Sequence, residues 1–151
     1  MHFRRFTVLA LTVTFAHGHF ILNHPVPIGF DDRRETERPC GSFDPAVPIQ
    51  DPTPWSVAGS YIGTLTTHPH ADWEFNYARA GAPAEFQSLT PPLMQMGVGS
   101  FCATGIRVPG AVGDVVMLQI VQNAHGETLY QVRAAAISLL RLISAMLAVG
   151  R

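Results

Sequence analysis

Apolar and polar positions alternate along the middle of the chain with the period of a strand. Trp73-Glu74-Phe75-Asn76-Tyr77 places an aromatic at every second position, the pattern of a half-buried strand. Asp114 to Gln122 (DVVMLQIVQ) is a run of aliphatic and β-branched residues and predicts the strongest strand of the chain. Ala124-His125-Gly126-Glu127 reads as a turn, and Thr128 to Gln131 as the start of a partner strand. Ser56 to Leu65 reads as a strand with a glycine at each weak point, and Gly97 to Cys102 as a turn entering a strand. The period changes after Gln131. In residues 133 to 151, RAAAISLLRLISAMLAVGR, Ser138, Arg141 and Ser144 recur every third residue. A narrow polar stripe on an otherwise apolar segment predicts a helix, so residues 132–151 read as a helical apolar tail.

Prolines 25, 27, 39, 45, 48, 52 and 54 crowd residues 23–54, a density that no helix or central strand tolerates. That segment reads as a long loop or a set of edge pieces. Within it, Asp31 to Arg38 (DDRRETER) reads as a solvated, mixed-charge surface. Short strands with Pro- and Gly-rich connections predict a mainly β fold, a β-sandwich. The chain has 151 residues, 47% hydrophobic and 14% charged, which suits one domain and excludes a disordered chain. All cations are arginine, and the net charge is -1. No basic stretch approaches a nucleic-acid footprint, so nucleic acid is excluded as a partner. Two cysteines are too few for an all-Cys zinc site.

The first eighteen residues, MHFRRFTVLALTVTFAHG, combine Arg4 and Arg5, an apolar run and small residues at Ala16 and Gly18. These are the parts of a secretory signal helix with a cut after Gly18. The mature domain would begin at His19, and export would expose Cys40 and Cys102 to an oxidising compartment in which they are disulfide candidates.

Processing at Gly18 changes the chemistry of His19. An amino-terminal histidine offers its α-amine and an imidazole nitrogen together. The amine has a reference pKa of about 7.7–8.0, so a metal displaces its proton near neutral pH. One further imidazole would complete three nitrogens in tetragonal geometry, which suits copper(II). Thr67-His68-Pro69-His70-Ala71 could supply it, from either histidine. His24 and His125 sit in turns and read as solvent-exposed. No G-x-S-x-G, H-E-x-x-H or complete nucleotide fingerprint is present.

These segments, in this order, resemble the fungal LPMO-like copper-binding proteins known as copper acquisition factors. The resemblance rests on mature His19-Phe20 within HFILNHPVPIGFDD, on Arg38-Pro39-Cys40-Gly41, on Trp55 to Ser60, on Thr67 to Trp73, on Gly97 to Cys102, and on LQIVQ with Gly126 to Gln131. It spans residues 19–131. It implies an immunoglobulin-like, LPMO-like antiparallel β-sandwich holding copper(II) in a histidine brace. His19 would supply the amine and one imidazole. His68, ahead of Pro69 and Trp73, would supply the second, with His70 in reserve. A secreted or cell-surface protein without catalytic turnover is implied, engaged in copper acquisition. A copper transporter at the cell surface is the partner this admits.

The sequence departs from the family after Gln131. Family members continue into a cysteine and then an aspartate near the copper, whereas this chain reads Val132-Arg133 and then the tail. The expectation is therefore a truncated domain without its last strand, with the tail as an amphipathic helix on the sandwich or a membrane surface. Two alternative functions follow. One is an oxidative polysaccharide monooxygenase using the same brace, with Tyr130 as the last-strand aromatic on offer near the metal. The other is a non-functional paralogue.

Overall fold

The computed structural model describes residues 18–45, 50–80, 82 and 85–139. The signal helix over residues 1–17 and the tail beyond residue 139 lie outside the described residues. Among the described residues nine strands follow in order: β1 Phe20–His24, β2 Thr53–Ser56, β3 Ser60–Thr66, β4 His70–Arg79, β5 Gln87–Ser88, β6 Leu93–Met96, β7 Gly99–Ile106, β8 Val115–Ala124 and β9 Glu127–Ser138. There is no helix among the described residues.

The strands form two sheets. The smaller runs β1-β3-β7; the larger runs β2-β9-β8-β4, with β5 and β6 sharing the far edge of β4. All pairings are antiparallel except β2 with β9. Phe20, Leu22 and Ile62 of the small sheet pack on Trp73, Phe75, Leu118, Ile120 and Leu129 of the large one. Face-to-face burial of alternate residues from both sheets is the sandwich solution. The Phe20 ring meets Trp73 edge-on at 5.2 Å between centroids. Both tryptophans that anchor the core satisfy their indole N–H: Trp55 donates to the Ile106 carbonyl at 2.9 Å and Trp73 to Gln95 Oε1 at 3.0 Å.

The proline-rich segment yields β2, an edge strand that contains Pro54, a position where a missing N–H costs no ladder bond. The loop between β1 and β2 runs along the outer side of the large sheet. Ile28 N–H donates to the Val132 carbonyl, Tyr130 N–H to the Glu35 carbonyl, and Gln119 Nε2 to the Pro39 carbonyl. Cys40 is thereby buried against Met117, Val132 and Ala134.

Two expectations are corrected here. Residues 132–138 are not helical: they complete β9, which pairs with β8 from Ala124↔Glu127 to Val115↔Ala136 and with β2 at its end. The last strand is therefore present. The alanine-rich run misled because β9 is covered on both faces, so small apolar residues occur without alternation, and such a run is not separable from a buried helix by period alone. The second correction concerns the cysteines. Cys40 and Cys102 are both free, Cys40 buried behind the large sheet and Cys102 exposed on β7. Burial, with the nearby Asp44 charge, pushes the Cys40 thiol up to about 11, so it stays protonated near neutral pH and is inert. The position directly after Leu129-Tyr130-Gln131 is Val132, which packs beside Cys40.

Candidate metal centre

At one end of the sandwich, the start of β1 meets the β3–β4 connection. Thr67 holds the two together: its hydroxyl donates to the His19 carbonyl at 3.2 Å and accepts from the His19 N–H at 3.3 Å. The next residue, His68, is fixed from below. Its N–H donates to Thr66 Oγ1, and that oxygen also accepts from Gln122 Nε2 of β8 at 2.7 Å. The buried Thr66 and Gln122 side chains thus position the backbone of His68, where desolvation strengthens each bond, and the exposed Thr67 hydroxyl positions that of His19.

The imidazoles are left less satisfied than their backbones. His68 is 5% exposed. Its Nε2 is buried with no hydrogen-bond partner, and so are His19 Nδ1 and Glu35 Oε2. An unpaired buried polar atom costs about 1–3 kcal/mol; His19 Nδ1 and Glu35 Oε2 lie 3.4 Å from each other, whereas His68 Nε2 has no such neighbour among the ion pairs of the described residues. Gly18 lies against the His68 ring. A side chain there would strike the His68 ring at Cε1 and Nε2, so only a glycine fits in front of the His68 imidazole.

Glu35 is the residue sequence reasoning missed. It sits inside the mixed-charge stretch read as solvated, yet it is 2% exposed. Its Oε2 lies 3.4 Å from His19 Nδ1, and its Oε1 accepts from Gln131 Nε2 at 2.7 Å. Burial pushes the carboxyl up to about 7; the Gln131 and Phe20 hydrogen bonds pull the other way, and the Asp32 charge adds to the rise. Gln131 also donates to the Phe20 carbonyl and accepts from the Leu22 N–H, tying β9 to β1 across the sandwich. The sequence carried no signal for it: Glu35 is one of four carboxylates, with Asp31, Asp32 and Glu37, in the same mixed-charge run.

His70 stands apart from these residues. It is the first residue of β4, turned outward and half exposed, with Nε2 3.7 Å from Asp72 Oδ1. His125 occupies an exposed turn, as expected. His125 and Gly126 both have positive φ, 49° and 81°, the two-residue hairpin geometry that suits β-strand twist. The turn brings the His125 ring to 5.4 Å from that of His68. His24 closes β1 with its ring stacked on Tyr61 at 4.0 Å. Among the described residues no three His, Cys, Asp or Glu side chains converge as a metal cage; a brace needs only two imidazoles, because its third nitrogen is a backbone amine. The donor chemistry present therefore fits such a group.

Tyr130 is buried, with the Arg38 guanidinium 5.7 Å from its ring centroid. An open cleft of about 360 Å³ lies beside His19, lined by Asp32, Arg33, Thr36, Glu127 and Leu129.

A solved structure shares the fold. A lytic polysaccharide monooxygenase from Jonesia denitrificans matches at 14% identity and a TM-score of 0.53, over 80% of this chain and all of that one. An AA10 lytic polysaccharide monooxygenase from Streptomyces lividans matches at 13% identity and a TM-score of 0.47, over 58% of this chain; the chain spans 59% of that enzyme. At these identities the likeness is one of fold alone. No curated protein matches the chain in sequence. The profile of the copper acquisition factor BIM1-like domain matches residues 17–139, the whole sandwich through the end of β9, and the chain therefore belongs to the BIM1-like copper acquisition factor family.

Proposed function

We propose that this protein is secreted, is cut after Gly18, and binds one copper(II) ion as cargo through a histidine brace, in copper acquisition and without catalytic turnover. His19 provides its freed amine and Nδ1, and His68 provides Nε2. The observation that carries the reading is the buried His68 Nε2 without a hydrogen-bond partner, one residue from Thr67, which bonds His19, with Gly18 against the His68 ring. Removing Gly18 uncovers His68 Nε2 and leaves an amine in the same place. Three nitrogens in tetragonal arrangement favour copper(II). The Glu35 carboxylate beside Nδ1 supplies negative charge to a bound dication and compensates for the absence of the family's aspartate. Exposed handover at one end of the sandwich is compatible with a copper transporter at the cell surface as the receiving partner.

The completed β9 removes the structural reason for reading the chain as a damaged paralogue. Two measurements test the proposal. Amino-terminal sequencing of the secreted product returns His19 first. Copper(II) titration followed by electron paramagnetic resonance shows one nitrogen-ligated site, lost in His68→Ala and kept in His70→Ala. A mature chain that begins elsewhere, or a copper(II) signal lost with His70 and kept without His68, overturns it.

A further inference from the structure

The edge ribbon of β4 and β6 presents a second set of metal donors, independent of the brace. In its register His70 lies opposite Met96 and Asp72 opposite Met94, while Ala71 and Gln95 between them are buried. Side chains alternate across a strand, so His70, Asp72, Met94 and Met96 share the outward face. Directly opposed residues have Cβ atoms about 4.5–5.5 Å apart, and diagonal neighbours about 7–8 Å, which brings two thioethers and an imidazole within reach of one point. Met94 is 63% exposed and Met96 73% exposed. Fully burying such a side chain is worth about 1.5–3 kcal/mol, so this placement forgoes that stabilisation twice on one short strand. Asp72 Oδ1 lies 3.7 Å from His70 Nε2, beyond hydrogen-bond distance, and places a carboxylate next to the imidazole on the same face.

We propose that Met94, Met96 and His70 form a copper(I) site on this face. Thioethers are soft, uncharged donors that select copper(I), whereas amine and imidazole sets suit copper(II). The fold thus offers two copper environments of opposite preference, and the connection Thr67–His70 contributes one histidine to each: His68, buried, to the brace and His70, exposed, to the thioethers. Each site takes the ion in the oxidation state supplied to it, so no electron transfer is required between them.

The test uses the secreted protein, freed of metal and kept anaerobic, competing with bicinchoninate for copper(I). The parent withdraws one equivalent. The double variant Met94→Leu/Met96→Leu keeps the apolar surface and removes both sulfurs. Its copper(I) affinity falls by roughly 10–100-fold or more, the scale on which even partners of ligands act, while its copper(II) resonance is unchanged. His68→Ala, which breaks the brace, retains copper(I). X-ray absorption at copper shows sulfur neighbours in the parent and none in the double variant. Undiminished copper(I) affinity in the double variant overturns the proposal and leaves the patch as an apolar docking surface. Loss of copper(I) binding in His68→Ala also overturns it. A parent without a copper(II) signal would sink the brace and leave this site standing.

Discussion

Replacing Glu35 by glutamine isolates the charge stored at the centre. The carboxyl is 2% exposed and its pKa is pushed from 4.5 to about 7, chiefly by burial. The folded chain therefore holds this proton more tightly than the unfolded chain does. Below the unfolded value both states are protonated and Glu35 costs nothing. As pH rises from there to about 7, the unfolded chain releases its proton first, and the folded state loses stability steadily. Above about 7 both are ionised and the penalty is constant. One pKa unit corresponds to about 1.4 kcal/mol, so the whole window amounts to about 3 kcal/mol. Glu35→Gln keeps the shape and the acceptor for Gln131 and abolishes the titration. Urea unfolding of metal-free protein, followed by tryptophan fluorescence, is the assay. The parent and the variant should be of similar stability near pH 4, and the variant the more stable by about 3 kcal/mol near pH 8. Parallel pH profiles for the two proteins would refute the argument.

Gln131→Leu should destabilise the metal-free protein by about 2–5 kcal/mol, because it strips partners from the buried Leu22 N–H, the Phe20 carbonyl and Glu35 Oε1; an unchanged urea midpoint would contradict this. Deleting residues 133–151 should abolish soluble expression, since it removes Ala135 and Ile137 from the core together with the β2 pairing; soluble protein at the parental yield would contradict this. Incubation with copper, a reductant and cellulose or chitin should release no oxidised oligosaccharides: of the described aromatics only Phe30 and Tyr61 are strongly exposed, at 46% each, and Tyr61 is stacked on His24. Mass spectrometry of the soluble products decides that point.

What was legible in the sequence was what a strand with two different faces writes into it. Trp73 to Tyr77 alternates, and β4 alternates. His125-Gly126 reads as a turn because a two-residue hairpin needs positive φ at both positions, and glycine supplies one without strain. The illegible parts are those where tertiary cover overrides local preference. In β9 the β1–β2 loop buries the outer face as the small sheet buries the inner one, so Ala134, Ala135 and Ala136 read as helix formers although they pair with Met117, Val116 and Val115. Glu35 is hidden for the reverse reason. A charge run predicts solvent, and its neighbours are indeed exposed, but a single carboxylate turned inward leaves no trace in composition. His68 and His70 are equivalent by spacing and differ only in which side of the chain the strand of Thr66 and the hydrogen bond to Gln122 present to the core.

Gly18 joins two requirements that have no common origin. A signal cut demands a small residue immediately before it. Independently, the fold demands a residue without a Cβ in front of the His68 imidazole, because any Cβ would collide with the ring. Both conditions fall on the same position, one residue ahead of the histidine whose Nδ1 lies 3.4 Å from Glu35 Oε2. Before the proposed cut, the backbone of Gly18 lies against His68 and the nitrogen of His19 is an amide, which is not basic and offers a metal no lone pair. After it, the same position holds an amine and His68 Nε2 is open. The proposed cut would therefore both unblock the site and make its third donor, so under the proposed function copper binding should depend on processing and not on folding alone, and a leader-bearing chain should fold into the same sandwich without copper(II) binding.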